Sequence, residues 1–324
     1  MVKNSHKRII IVTGGAGFIG SNFVNMMVIK YPRYFFLIVD CLTSAGSLSN
    51  ISVLKNKNVQ FEKIDICDSR KLEKVFKKYE PTDIIHFAAE SHVDASIKNP
   101  SLFVETNVLG TCNLLILAHT YRIKRFHHIS TDEVYGSLGK KNNSFTESSP
   151  IAPNNPYSAS KACADMLVRA HHKTFGLDTV ITRCSNNYGP HQDVTKLIPR
   201  FMSLLLRDKK VPLYSRGEHI REWIFVEDHV RAIDLVFHKG KSGEIYNIPG
   251  HSEHTNHEIT EIILRLARKG PDYIEHVADR PGHDFRYALN GNKILKELGF
   301  RSKVTLEEGI SKTFKYYAHK KSRK

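Results

Sequence analysis

The chain has 324 residues, with 48 basic and 33 acidic side chains for a formal net charge of +15, and 41% of its residues are hydrophobic. The length exceeds that of a usual single core and predicts two lobes, while no run reaches the ~20 uninterrupted apolar residues of a membrane-spanning helix. The opening residues hold no apolar core or cleavage site, against a secretory signal, and no zinc-finger, RNA-recognition or helix-turn-helix pattern accompanies the basic residues, against a specific nucleic-acid partner.

Arg8-Ile9-Ile10-Ile11-Val12-Thr13 is a short β-branched run of the kind that forms a buried parallel strand. It leads into Gly14-Gly15-Ala16-Gly17-Phe18-Ile19-Gly20 and a helical pattern from Ser21 to about Lys30. Glycines at 14, 17 and 20 permit a tight turn and let backbone amides approach a pyrophosphate at a helix N-terminus. A second strand, Phe35 to Val39, ends at Asp40, 20 positions beyond Gly20. An acid there can hydrogen-bond the adenosine ribose hydroxyls and repels a 2′-phosphate. Cys41 beside it offers no cation, so the pattern predicts NAD rather than NADP.

Further strands are expected at Val59 to Ile64, before Asp65-Ile66, and at Asp83 to Phe87, before Ala88-Ala89-Glu90-Ser91. A helix over Arg70 to Tyr79 separates them, and a long helix, about Pro100 to Tyr121, follows. Then come a strand at Phe126 to Ser130, a helix at Tyr157 to Phe175 and a strand at Thr179 to Arg183. This alternation predicts an α/β, Rossmann-type, doubly wound parallel sheet, with ligands at the carboxyl ends of its strands. Gly14, Asp40, Asp65, Ala88 and Ser130 to Glu133 all fall at those ends. From about Ser185 the chain turns to longer loops, prolines and short elements. The expected division is an NAD-binding domain over 1–185, with 222–245 returning to it, and a smaller substrate-binding lobe over 186–324. Disorder is expected only at the two ends and around Lys140 to Ser144.

The chemistry is concentrated in Ser130-Thr131-Asp132-Glu133-Val134-Tyr135-Gly136 and Tyr157-Ser158-Ala159-Ser160-Lys161. A Tyr and a Lys four apart on a helix share a face, so the ammonium can favour ionisation of a phenol that normally titrates near pH ~10. That pair would serve as a base toward an alcohol. Asp132 and Glu133 add two carboxylates that simple alcohol oxidation does not need, which suggests oxidation combined with acid/base elimination. A carboxyl acting as an acid at neutral pH needs a raised pKa, and a neighbouring carboxylate with burial can supply it. The five cysteines, at 41, 67, 112, 163 and 184, have no metal or redox spacing and read as reduced core or near-core thiols of a cytosol-like compartment. The histidines show no metal-ligand grouping, no metal is expected, and His127-His128 and His171-His172 are expected at strand and helix surfaces.

With these residues in view, the chain resembles the extended short-chain dehydrogenase/reductases from Ile9 to about Ile294. Within them it is similar to the nucleotide-sugar 4,6-dehydratases that act on dTDP-glucose or UDP-glucose. The segments that carry the resemblance are Ala88-Ala89-Glu90-Ser91-His92-Val93-Asp94, the Ser130 to Gly136 run, Cys184-Ser185-Asn186-Asn187-Tyr188-Gly189-Pro190 and Arg280-Pro281-Gly282-His283-Asp284. It implies that Tyr157, with Lys161 and the Thr131 hydroxyl, takes the proton of the glucose 4-hydroxyl while hydride leaves C4 for NAD. Glu133 would then remove the C5 proton, Asp132 would protonate the departing C6 hydroxyl, and hydride would return to C6. Gly14, Gly17, Phe18, Ile19, Gly20, Asp40, Asp65, Ile66, Ala88 and Ala89, with Tyr157 and Lys161, would hold NAD. The nucleoside-diphosphate glucose would meet Glu90, Ser91, Asn187, Lys196, Leu197, Arg221, Asn247, Arg280 and His283.

The resemblance also implies a cytoplasmic homodimer joined through the Pro100 to Tyr121 and Tyr157 to Phe175 helices. Leu114, Leu115, Leu117, Ala162, Met166 and Leu167 could supply that interface or pack against the sheet. The chain departs from the family pattern at Ser44, Ala95, Ser215-Arg216 and Asn290, near the nucleotide, which leaves thymine against uracil open. A C4 epimerase or a decarboxylase would need only NAD and the Tyr-Lys pair. A non-catalytic NAD-binding regulator would need none of Thr131, Asp132, Glu133, Tyr157 and Lys161 together.

Overall fold

The computed structural model describes residues 6–43, 45–140, 143–279 and 283–322. Ser44, Arg280, both ends and part of the Lys140 to Ser144 stretch lie outside the described residues. The strands are β1 (Arg8–Thr13), β2 (Tyr34–Asp40), β3 (Val59–Lys63), β4 (Asp83–His86), β5 (Arg125–Thr131) and β6 (Thr179–Cys184), then β7 (Asn186–Tyr188), β8 (Val211–Tyr214), β9 (Ile220–Phe225), β10 (Ile245–Ile248), β11 (Glu253–Thr255) and β12 (Ile274–Val277).

Alternation along β1 explains the layering. Ile9 and Ile11 belong to one apolar cluster, Ile10 and Val12 to another, because successive strand residues point to opposite faces. The first face packs on Leu72, Val75 and Phe76 of the helix Ser69–Tyr79 and on Leu114, Leu115 and Ala118 of the helix Gly110–Thr120. The second packs on Phe23, Val24 and Met27 of the helix Phe18–Lys30 and on Val230, Ile233 and Phe237 of the helix Val226–Lys239. A strand covered on both sides can carry an unbroken apolar run, as residues 9–12 of β1 and 34–39 of β2 do. Each such side chain contributes about 1.5–3 kcal/mol of burial.

Seven strands form one sheet in the order β3-β2-β1-β4-β5-β6-β10. Every pairing in it is parallel. The chain winds outward from β1 to β3, then crosses back to β4, so the direction reverses between β1 and β4. That reversal opens a crevice at the carboxyl ends of the strands. One residue, Ser185, separates β6 from β7, and there the chain leaves the main sheet. Strand β9 pairs parallel with β7 and antiparallel with β11, while β8 pairs with β12. Phe201, Met202, Leu205, Ile259, Ile263 and Ile310 close a separate core beneath these small sheets.

Three expectations need correction. The long helix is interrupted: Pro100–Phe103 is followed by a π-helical turn, Val104–Leu109, and then by Gly110–Thr120. Within the wide turn, Asn107 donates to Ser160 Oγ (2.8 Å) and to the Glu90 carbonyl (3.0 Å), and accepts from the Glu90 amide (2.8 Å). The stretch Pro100–Thr120 has the length and mean hydropathy of a membrane span, yet nearly half of it is buried in the protein. Leu114, Leu115, Leu117 and Ala162 are buried, whereas Met166 is exposed. His127 and His128 are fully buried rather than superficial, because β5 lies between β4 and β6 in a sheet covered on both faces. All five cysteines are free, but Cys163 lies on the surface and only Cys184 is buried.

Candidate active site

The glycine turn leaves β1 where a side chain has no room. Gly14 adopts φ +67°, and a Cβ there would meet the backbone of Phe87 and Ala88 at 2.6–2.8 Å. A Cβ on Gly20 would approach the Gly14 carbonyl to 2.3 Å, so the helix Phe18–Lys30 starts hard against the turn. Asp40, at the end of β2, accepts from the amides of Ala16 (3.0 Å) and Leu42 (2.8 Å), which fixes its carboxylate beside the glycines. A cavity of about 350 Å³ runs from this turn past Asp40, Asp65, Ile66, Ala88 and Ala89 to Thr131, Asp132, Glu133, Tyr157 and Lys161. Phe18, Ile19, Glu90 and Ser91 line it as well. A glycine cradle at one end, an anchored carboxylate in the middle and a phenol with an amine at the other suit a dinucleotide such as NAD.

The reacting end is built by β5 and the helix Pro156–Phe175. Thr131 closes β5, and its hydroxyl caps the 3-10 turn Asp132–Tyr135 by accepting from the Glu133 amide (3.2 Å). Asn155 and Ser158 form a capping box at the start of the helix, which fixes the rotation that aims Tyr157 and Lys161 into the cavity. Asp132 is buried, with one oxygen in contact with the Thr131 hydroxyl (3.2 Å) and the other without a partner. Burial pushes its carboxyl well above the usual range, and the charges of Glu133 and Glu222 add to the effect. Burial and the neighbouring carboxylates thus favour its acid form.

Tyr157 departs from the expectation of a lowered pKa. Burial raises it well above 10, Glu133 and Cys184 raise it further, and the hydrogen bond with Thr131 only partly opposes them. The Lys161 ammonium meanwhile donates to the Ile129 carbonyl (2.8 Å) and lies 3.3 Å from His128 Nε2. Burial brings Lys161 down to about 8, opposed by the charge of Asp165.

Beneath Lys161 lies a buried polar network. His128 Nε2 is 3.4 Å from Asp165 Oδ1, and Arg183 Nε donates to Asp165 Oδ2 at 2.9 Å. Burial, with Lys161 nearby, lowers His128 to about 4, so the ring is neutral, and Nε2 can serve either the ammonium or the carboxylate at one time. Burial alone would raise Asp165, but Arg183, His128 and Lys161 hold it at about 2. The expected result of Asp165→Asn is a loss of about 3–5 kcal/mol in urea unfolding, because Arg183 would stay buried without its counter-charge. A loss under about 1 kcal/mol would show that the guanidinium is compensated elsewhere.

A second cavity, of about 180 Å³, adjoins the first and shares Glu133, Asn187 and Lys196 with it. Leu197, Arg221 and His283 line it. Lys196 Nζ donates to the Ser91 carbonyl (2.7 Å), joining the two halves of the chain across the opening. Arg221 donates to the carbonyls of Ile220 (2.8 Å) and Asp284 (2.9 Å) and lies over the Tyr287 ring, so its guanidinium is held rigidly. Asn187 is held through its side-chain oxygen by His229 Nδ1 (2.8 Å).

Asn247 is corrected. It lines neither cavity and is wholly buried in the sheet, accepting from the Tyr135 hydroxyl (2.8 Å) and donating to the Phe145 carbonyl (3.0 Å). Among the asparagines that do line the second cavity, Asn256 was missed because its place just after Thr255 at a helix start reads as part of a cap. Glu222 was also missed. It is buried beside Arg221, accepts from the amides of His251 and Leu289 (each 2.8 Å), and is pushed up to about 7 by burial.

Comparison with known proteins agrees with this geometry. The family described as GDP-mannose 4,6 dehydratase matches residues 11–313. A Salmonella typhimurium protein named dTDP-glucose 4,6-dehydratase is 46% identical, covering 95% of this chain and 92% of that one. The crystal structure of DesIV, a dTDP-glucose 4,6-dehydratase from Streptomyces venezuelae with NAD bound, superposes with a TM-score of 0.94 at 46% identity, covering 97% of this chain and 98% of that one. A UDP-glucose 4-epimerase from Thermotoga maritima shares the fold at a TM-score of 0.90 but only 30% identity, with 98% and 100% covered. A full-length match at this identity, on a fold that carries the glycine cradle, the Tyr-Lys pair and the Asp-Glu pair in one cavity, shows that the chain belongs to the GDP-mannose 4,6 dehydratase family.

Proposed function

We propose that this chain is an NAD-dependent lyase that converts a nucleoside-diphosphate glucose, dTDP-glucose or UDP-glucose, to its 4-keto-6-deoxy derivative. The observation that carries the reading is the buried acid Asp132 beside Glu133, in the same cavity as Tyr157 and Lys161. An epimerase has no use for a carboxyl held protonated next to a second carboxyl; an elimination needs an acid and a base.

NAD, when bound along Gly14, Asp40, Asp65 and Ala88, supplies the acceptor and later the donor of hydride. The remaining work falls to side chains. Tyr157, assisted by Lys161 and Thr131, takes the proton of the sugar 4-hydroxyl. The ketone formed at C4 makes the C5 hydrogen acidic, Glu133 removes it, and Asp132 gives its proton to the C6 hydroxyl as water departs; C6 then takes back the hydride while C5 regains a proton. Asn187, Lys196, Leu197, Arg221 and His283, with Arg280, hold the nucleoside diphosphate, a guanidinium being suited to phosphate.

We assign the NAD-binding part to residues 1–185 with the returning 222–245 segment, and the sugar-nucleotide part to 186–324. The packing of the helix Val226–Lys239 against the second face of the main sheet supports this division. A homodimer is proposed through the helices between Val93 and Phe175, where Ile97, Leu102, Val104, Leu109, Ile116 and Met166 are exposed. A cytoplasmic setting accords with five free cysteines. Purified protein incubated separately with UDP-glucose and dTDP-glucose should yield a product lighter by one water, by mass spectrometry, without added reductant. Absence of water loss from both sugars would overturn the assignment.

A further inference from the structure

The histidines have no metal-ligand spacing in the chain, yet the fold gathers His219, Asp279 and His283 so that their ligand atoms lie within 4.8 Å of one another. His219 Nε2 is 3.2 Å from Asp279 Oδ2, and His283 Nδ1 is 2.7 Å from Asp279 Oδ1. The two imidazoles stack, with centroids 3.7 Å apart and planes 20° from parallel. Both rings are largely shielded, at 12% and 6% side-chain exposure, while the carboxylate keeps 32% and remains reachable from solvent.

The arrangement favours a cation over three separate groups. The two stacked rings and the carboxylate bring their ligand atoms to within 4.8 Å of one another, and neutral imidazole offers a lone pair to a metal. Zinc bonds of about 2.0–2.2 Å in a tetrahedral site place neighbouring ligand atoms roughly 3.3 Å apart. Each histidine lies within roughly 0.6 Å of that spacing from a different oxygen of Asp279, His219 from Oδ2 and His283 from Oδ1, so a small rotation of the carboxylate brings one oxygen to the metal. Two imidazoles and one carboxylate suit zinc and leave a fourth position for water or another oxygen.

The ligands come from different parts of the chain. His219 immediately precedes β9, the strand that carries Arg221, and Asp279 lies just beyond β12. His283 lines the second cavity.

We propose that His219, Asp279 and His283 form a binding site for a divalent transition cation of the zinc class at the edge of the second cavity. A bound cation would tie the strand bearing Arg221 to the segment after β12, and so stiffen one wall of that cavity. The site shares His283 with the nucleotide-binding role proposed above, and its readout, metal affinity, does not depend on turnover.

The test is titration of the full chain with zinc chloride against a chromogenic chelator, together with the visible spectrum of the cobalt(II)-loaded protein. The expected result is one zinc per chain, and a cobalt spectrum of tetrahedral character. His219→Gln and Asp279→Asn should each weaken zinc binding at least tenfold and remove the cobalt bands. Replacing His254 and His257, partly exposed histidines on and beside β11, with alanine should change neither. Melting curves without metal establish that the variants are folded, and two independent variants keep the test decisive if one is not. Equal zinc affinity in the wild type and both variants, or no binding below about 100 equivalents, would overturn the proposal.

Discussion

Asp132→Asn should lower kcat by about 10²–10⁴-fold, the usual contribution of a positioned acid, with KM for the nucleotide sugar changed only a few-fold. The side chains have nearly the same shape, so the loss isolates the proton. Asp132 is buried, and burial with Glu133 and Glu222 keeps the carboxyl protonated, ready to donate to a departing hydroxyl. Stability gives a second readout of known sign. A folded-state pKa raised above the unfolded value means that the neutral form favours folding. That contribution is fully present below the unfolded value near pH ~4 and is lost as pH rises through the raised folded value. Asparagine cannot ionise, so the melting temperature of Asp132→Asn relative to the wild type should climb with pH over that interval. A kcat within threefold of wild type, or a difference in melting temperature that is flat with pH, would remove Asp132 from the acid role.

Tyr157→Phe should reduce turnover by about 10²–10⁴-fold with little change in fold, measured as kcat alongside a thermal melt. The ring sits edge-on to Phe103 at 6.3 Å, a contact that phenylalanine keeps. What is lost is the hydroxyl that takes the sugar proton. Since burial and the nearby acids raise the phenol, the resting protein holds it protonated. A variant that keeps more than about a tenth of wild-type turnover would show that another group is the base.

The first half of the chain was legible because its strands are short, mostly apolar runs with a cavity-lining residue at the carboxyl end. Arg8–Thr13 and the helix ending at Phe175 fall where the pattern puts them, and the glycine turn, Asp40 and the Asp132-Glu133 pair meet in one cavity. What escaped depends on contacts between distant segments. His127 and His128 look like surface residues until β4 and β6 flank their strand. Asn247 and Asn256 are equivalent as letters; one is consumed by Tyr135 and Phe145 inside the sheet and the other faces the cavity. Nothing local marks the π turn at Val104–Leu109, which accompanies the bonds of Asn107 to Glu90 and Ser160. The rise in the Tyr157 pKa comes from burial, which no helical spacing reveals.

The central claim is that hydride leaves C4 and returns to C6 of the same sugar. Nucleoside-diphosphate glucose carrying deuterium at C4 tests it most directly, with the product read by mass spectrometry and NMR. The expected result is a product lighter by one water, formed without external reductant, with the deuterium on C6. Deuterium retained at C4 in a product of unchanged composition would make the chain an epimerase, and deuterium lost to solvent would contradict internal hydride return.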